Sequence, residues 1–178
     1  MPDQPLRVIG LLMSPYSLKV RAYLRYKAIP FVWIDRNRRN EKLFQRHARV
    51  QLIPLVLFPD GEAMQDSTPI IERLEEEHPE PSIHPETPAL RFLSALLEEY
   101  GDEWCNKLMF QFRWGPKEDA LVPLIVRRMV PRMAFAGANE TNAPHLQQSW
   151  FRTVEWLDGH LADRAYLFGG RPAFADFG

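Results

Sequence analysis

The sequence predicts a small α/β domain followed by an all-helical domain, and three observations carry that expectation. Short β-branched and aromatic runs alternate with helical ones as far as Glu77. Four prolines then fall in the eleven positions from His78 to Pro88, a density that no helix or central strand survives. Beyond them apolar residues recur at spacings of three and four, the helical period.

The elements follow in order. Leu6 to Leu12 is a mostly apolar run of strand length. Ser14-Pro15 reads as an N-cap followed by proline at the first helical position, where no amide donor is needed. Leu18, Ala22, Leu24 and Tyr26 supply the expected apolar face of that helix, and Ile29-Pro30 stops it. Phe31 to Ile34 is β-branched and aromatic, hence a strand. The arginine-rich stretch Asp35 to Arg49 has room for a short helix. Leu55 to Phe58 and Glu62 to Gln65 flank Pro59-Asp60-Gly61, the signature of a hairpin. Asp66-Ser67-Thr68-Pro69 again reads as a cap with an early proline, opening a helix toward Glu77. After the proline-rich segment, one long helix is expected through Leu90, Leu93, Leu97, Tyr100, Trp104 and Leu108. A second is expected from Leu121 to Met133, interrupted by Pro123 and Pro131. A third runs from Pro144 to Leu161 with Leu146, Trp150, Val154, Trp156 or Leu157, and Leu161 inward. The chain stops at Phe174-Ala175-Asp176-Phe177-Gly178, an apolar-rich stretch that has only begun, so a missing C-terminal helical portion is expected.

Composition narrows the function classes. The 178 residues are 46% apolar and 25% charged, enough for a real core. The net charge of −1 offers no global attraction to nucleic acid or anionic membrane. No stretch near the N-terminus is long enough to span a bilayer, and the first residues lack a signal peptide's basic start. The single cysteine, Cys105, cannot form an internal disulfide, so a reducing, cytoplasmic setting is expected. Its place on a helix beside Trp104 favours a buried, inert thiol. His47, His78, His84, His145 and His160 have no spacing that would clamp a metal, and no metal is expected.

Some residues carry chemistry as well as structure. Ser14 stands where a helix begins, beside unpaired amides and the positive end of the helix dipole. A hydroxyl there can donate to a bound thiolate, and both effects lower a thiol's pKa from its reference near 8.5. Plain helix capping needs the same residue. Asp66-Ser67 likewise suits either capping or a carboxylate ligand at free helix amides. Ser14 and Ser17 occupy the places of a Cys-x-x-Cys pair without sulfur, so dithiol exchange through this motif is excluded. The segment from Asp35 to Arg49 holds Arg36, Arg38, Arg39, Lys42, Arg46 and Arg49 against Asp35 and Glu41, a local charge of +4. Only Phe44 interleaves with these cations, too little aromatic surface for a nucleic-acid platform.

Four stretches, in this order and spacing, resemble the glutathione transferase superfamily, specifically its serine-type members. They are Ser14 to Arg21, Leu52-Ile53-Pro54-Leu55-Val56, Gln65 to Ile71, and Tyr166 to Asp176. The resemblance covers essentially the whole chain. It implies a thioredoxin-like N-terminal domain over residues 1–78, a linker at 79–88, and a helical C-terminal domain over 89–178 that is incomplete. It also implies glutathione as co-substrate, a small apolar electrophile as partner, and a homodimer. Ser14 falls at the catalytic position, with Tyr16 or Ser17 as the substitute donor. Ile53-Pro54 falls at a cis peptide whose preceding backbone pairs with a peptide ligand. Asp66 and Ser67 fall at the γ-glutamyl site, and the basic run near the glycine carboxylate. Tyr16, Tyr100 and Trp104, with Met109, Phe112 and Trp114 nearby, fall near the electrophile pocket, although an aromatic stripe at helical spacing also makes core. Family members carry Ser or Thr three residues before the helix-entry aspartate. Ala173 holds that place here, so Asp176 lacks its reciprocal hydroxyl. The same scaffold also fits a non-catalytic binding module and a glutathione-dependent isomerase or dehalogenase, because fold does not decide function.

Overall fold

The computed structural model of the chain describes residues 4–114, 129 and 131–178, and these divide into two units. The first reaches to Ile83 and includes Phe177; the second is His84–Asp176 with Gly178.

The first unit is a four-stranded sheet flanked by helices, as the sequence predicts. Strand β1 (Leu6–Gly10) pairs in parallel with β2 (Phe31–Asp35) and antiparallel with β3 (Leu55–Leu57), which continues into β4 (Ala63–Gln65). The order across the sheet is β2-β1-β3-β4. The hairpin turns at Gly61, whose φ of 91° is the left-handed region that glycine reaches without penalty. Helix α1 (Pro15–Tyr26) follows β1, α2 (Glu41–His47) follows β2, and α3 (Ser67–Glu77) follows β4.

Both faces of the sheet are covered. Ile9, Leu55 and Leu57 pack with Phe44, the buried anchor of α2. By the two-residue alternation of strands, Val8 and Val56 face the other side, and both are fully buried. Helices α1 and α3 contact each other through elements that bury Val20, Tyr23 and Leu24, and Ile70, Ile71 and Leu74. The inward face of α1 differs in part from the expected one: Leu24 is buried as expected, but Leu18 and Ala22 are exposed, while Ser17, Lys19, Val20 and Tyr23, and Lys27 just beyond the helix, are buried. A count of apolar positions misses this face because Ser17, Lys19 and Lys27 are polar.

Those polar members have partners or close neighbours. Tyr23 donates its hydroxyl to Glu75 Oε2 at 2.8 Å, and Lys27 Nζ donates to the same oxygen at 2.9 Å. The other carboxylate oxygen of Glu75 accepts the Ile83 amide at 2.9 Å, and Lys27 also donates to the Pro81 carbonyl at 2.9 Å. The segment expected to be a spacer is therefore tied to α1 and α3 as far as Ile83, whose side chain is buried. Burial on its own would push the Glu75 carboxyl up, but the bonds from Lys27, the Ile83 amide and Tyr23 hold it below its ordinary value.

In the second unit, the long helix expected from Leu90 to Leu108 is two helices joined by a π turn: α4 (Pro88–Glu99), Tyr100–Trp104, and α5 (Asn106–Trp114). The break coincides with a close backbone approach, since a Cβ on Gly101 would sit 2.7 Å from the Gly178 carbonyl carbon. The expected inward stripe of α4 is also displaced. Leu90 and Leu93 are exposed, whereas Ser94 and Glu98 are buried. Ser94 Oγ accepts the Ala175 amide at 3.1 Å, and a Cβ on Gly178 would lie 2.8 Å from Glu98 Cα. Contact with a backbone segment that close selects small and polar residues over leucine. Helix α6 (Ala143–Leu161) starts and ends near the expected residues but has Leu146, Ser149, Thr153 and Leu157 half-buried, with Trp150, Val154 and Leu161 exposed. The expected helix from Leu121 to Met133 lies largely outside the described residues; residues 131–135 are helical, and Met133 is buried with Trp114 and Ala138. Asp176 keeps half of a capping box: Oδ2 accepts the Ala173 amide at 2.8 Å, and Oδ1 accepts the Leu167 amide at 2.9 Å instead of facing a reciprocal hydroxyl. Among the described residues no helix is long and apolar enough to cross a membrane.

Replacing Glu75 by Gln leaves the Lys27 ammonium buried without its anion, and urea unfolding at neutral pH is expected to show a loss of about 3–5 kcal/mol. The wild-type carboxyl titrates lower in the folded state than in the unfolded one, so its contribution is complete above the unfolded value near 4.3 and is lost as pH falls through the lower folded value. The difference in stability between wild type and Glu75→Gln should therefore narrow below about pH 4.3.

Candidate functional site

The register of the sheet decides where the predicted residues meet. Ile9 of β1 pairs with Leu55 of β3, and Leu55 pairs with Gln65 of β4. Because β3 is antiparallel to both neighbours, the end of β1, the start of β3 and the end of β4 lie at one end of the sheet. The segments beyond that row are the loop to Ser14, the Ile53-Pro54 peptide, and the Asp66-Ser67 turn. Three stretches distant in sequence thus share one sheet end.

Ser14 is half-buried and caps α1, its Oγ accepting the Ser17 amide at 3.3 Å. Its amide is held by the Leu11 carbonyl at 3.0 Å, and its carbonyl accepts the Leu18 amide at 3.0 Å. The hydroxyl accepts within the helix and keeps its own proton to donate. Of the two substitutes, Tyr16 is half-buried, whereas Ser17 is fully buried. A Cβ on Gly10 would fall 2.8 Å from Trp33 and 2.9 Å from Ser17 Oγ, which shows how tightly Ser17 is enclosed. Ser17 is thus not a donor to a ligand in this conformation.

The Ile53-Pro54 bond is cis, Pro54 is buried, and Ile53 is half-buried at the edge of the Phe44 cluster. Asp66 is the exposed N-cap of α3, accepting the Thr68 amide at 3.4 Å. Its φ of 83° is unusual for any residue but glycine, and such backbone costs about 1–3 kcal/mol. Ser67, the first residue of α3, is buried at the positive end of the helix dipole. Lys19 was not anticipated here. It is buried on α1 and donates Nζ to Thr68 Oγ1 at 3.1 Å, adding positive charge beside the start of α3. Its only local signal is a cation one turn beyond the Ser14 cap, and its partner lies 49 residues away.

The remaining candidates separate. Arg36 is committed to structure: it pairs with Glu41 and lies over the Phe44 ring at 3.9 Å, which removes it from the basic side chains open to a ligand. Tyr100 and Trp104 belong to the second unit, in the π turn. Tyr100 shares a 3.3 Å hydrogen bond with Thr153, and Trp104 is exposed with Lys107 Nζ 3.8 Å above its ring. Trp114 is core, whereas Phe112 is exposed, 5.3 Å from the Trp150 ring. Cys105 is half-buried instead of fully buried; burial pushes its thiol up despite a hydrogen bond with Tyr100, which keeps it protonated at neutral pH. Among the described residues no three His, Cys, Asp or Glu side chains gather as a metal site.

Residues 8–82 match the family profile described as "Glutathione S-transferase, N-terminal domain". A "Probable glutathione S-transferase" of Nicotiana tabacum is 24% identical over 173 residues, which is 96% of this chain but 66% of that protein, just short of two thirds. Among solved structures, a glutathione S-transferase from Methylobacterium radiotolerans in complex with glutathione sulfonate superposes with a TM-score of 0.70 at 22% identity, covering 98% of this chain and 75% of the other. A maleylacetoacetate isomerase from Anaeromyxobacter dehalogenans with bound dicarboxyethyl glutathione gives a TM-score of 0.62 at 23% identity, with 99% and 74% covered.

The backbone at Asp66 makes a prediction of its own. Asp66→Gly relieves the left-handed strain and sacrifices a weak cap, and is expected to gain about 1 kcal/mol in urea unfolding. A loss of stability would show that the aspartate cap outweighs the strain.

Proposed function

We propose, from the match of residues 8–82 to the glutathione S-transferase N-terminal domain, that the chain binds glutathione at this end of the sheet and joins the glutathione sulfur to a small apolar electrophile. The single observation that carries the reading is the row Ile9–Leu55–Gln65, which brings the cap of α1, the cis-proline peptide and the start of α3 together. Each then has a chemical part.

The Ile53 backbone, next to the cis proline, suits strand-like pairing with the cysteinyl part of the tripeptide. Ser67 and the positive end of α3 suit the γ-glutamyl carboxylate, Lys19 adds a nearby cation, and the exposed Asp66 carboxylate suits the γ-glutamyl ammonium. Ser14 is the donor to sulfur. Its hydroxyl and the positive end of α1 stabilise the thiolate over the thiol, so more of the bound peptide is nucleophilic at neutral pH. The thiolate pair then forms the carbon–sulfur bond, and the electrophile either loses a leaving group or takes up a proton. Tyr16 on the first unit is a candidate contact for the apolar partner, and Tyr100 and Trp104 are candidates on the second. The reading takes the protein as a cytoplasmic homodimer that works without a metal.

Three experiments test it. Calorimetric titration of glutathione should show saturable binding at millimolar concentration or below; no binding, confirmed by a second method, would favour a non-catalytic module. Ser14→Ala should keep glutathione affinity but lower turnover on the order of 10²-fold, the scale for removing one donor from a developing or stabilised anion. Unchanged turnover would refute the role of Ser14. Product analysis separates conjugation, in which the product keeps glutathione, from an isomerase like the structural neighbour, in which it does not.

A further inference from the structure

The loop that leads into the cis-proline peptide has no core of its own. Arg49, Val50, Gln51 and Leu52 are all exposed, between the end of α2 and the buried Pro54. A segment without buried side chains is held by its backbone bonds or not at all. Here those bonds converge on one side chain. Gln65 Oε1 accepts the Arg49 amide at 2.8 Å and the Val50 amide at 3.1 Å. Gln65 Nε2 donates to the Val50 carbonyl at 2.8 Å and to the Leu52 carbonyl at 2.6 Å. These four bonds use both donors and both lone pairs of the amide, and a flipped amide would set its oxygen against two carbonyls. Gln51 adds a second side-chain tie, exchanging bonds with Gln45 at 3.0 Å and accepting from Arg36 at 3.3 Å.

Gln65 stands at the hinge of the two halves of the site. Its backbone closes β4 opposite Leu55 and leads directly into Asp66 and Ser67. Its side chain grips the residues just before Ile53. We propose that Gln65 is a positioning residue that sets the spacing between the Ile53 backbone and the Asp66-Ser67 turn, so that both engage one γ-glutamyl peptide together. The inference rests on the glutathione reading above. Gln65 touches no reacting atom and acts through the loop. A shorter side chain cannot span the gap, and a carboxylate can accept the two amides but cannot donate to the two carbonyls.

The test uses the full chain with Gln65→Ala and Gln65→Glu, and glutathione as the probe. Gln65→Ala is expected to weaken glutathione binding by about tenfold or more, equivalent to about 1.4 kcal/mol. It should raise KM for glutathione with kcat little changed, and speed amide hydrogen exchange at Arg49 and Val50, while the unfolding midpoint moves little because the loop is exposed. Gln65→Glu should keep slow exchange at those two amides and bind glutathione with intermediate affinity. Should Gln65→Ala fail to fold, Gln65→Glu still reads the donor half of the clamp. If wild type binds glutathione and the folded variants bind it equally well, the positioning role is overturned while the functional reading stands. If wild type does not bind, the functional reading falls and takes this inference with it.

Discussion

Ile9, Leu55 and Gln65 lie side by side across three strands, and the candidate site depends on that row. A register shift of one residue in β3 would turn Leu55 and Leu57 away from Phe44 and carry the Ile53-Pro54 peptide to another height along the sheet. The same hydrophobic alternation that buries Leu55 and Leu57 therefore also aligns the loops. Packing and site geometry are one constraint here, which explains how three short, individually weak motifs can form one site.

The polar interior of the first unit follows a related logic. Glu75 gathers a tyrosine, a lysine and a backbone amide into one buried cluster, and so fastens the segment after α3 to the helices beneath it. Gln65 does the equivalent on the exposed side, with a neutral amide where water is available. A charge serves where desolvation makes its pairing strong and its loss costly, and an amide serves where four modest bonds must share one short loop. Both residues bring order to segments that bury few or no side chains of their own.

Chemistry at the sheet end is built from helix starts. Ser14 and Asp66 are caps, and Ser67 is the first residue of its helix. Each supplies a polar group at the positive end of a helix dipole, a field that suits an anionic group. The strained Asp66 backbone lies at the point where β4 gives way to α3, which is where a turn must deliver a side chain outward and a serine inward within two residues.

Local signals made much of this legible. Ser14-Pro15 and Asp66-Ser67-Thr68-Pro69 announced two helix starts, Pro59-Asp60-Gly61 announced the hairpin, and Ile53-Pro54 stood out through its resemblance to a cis-proline loop, because each of these depends on neighbours within a few residues. Burial was read less well. Lys19, Lys27 and Ser94 lie inside, and Leu18, Leu90 and Leu93 lie outside, because partners 49, 48 and 81 residues away decide the first three. The amides that Gln65 holds are likewise 15 and 16 residues away and carry no side-chain signal at all. The sequence by itself determined the order of elements, their starts and the chemistry available at their ends, since those are set by short-range sterics and capping. Only the tertiary structure decided which polar residues are buried and which loops meet, since strand register and long-range hydrogen bonds exist only once the chain has folded.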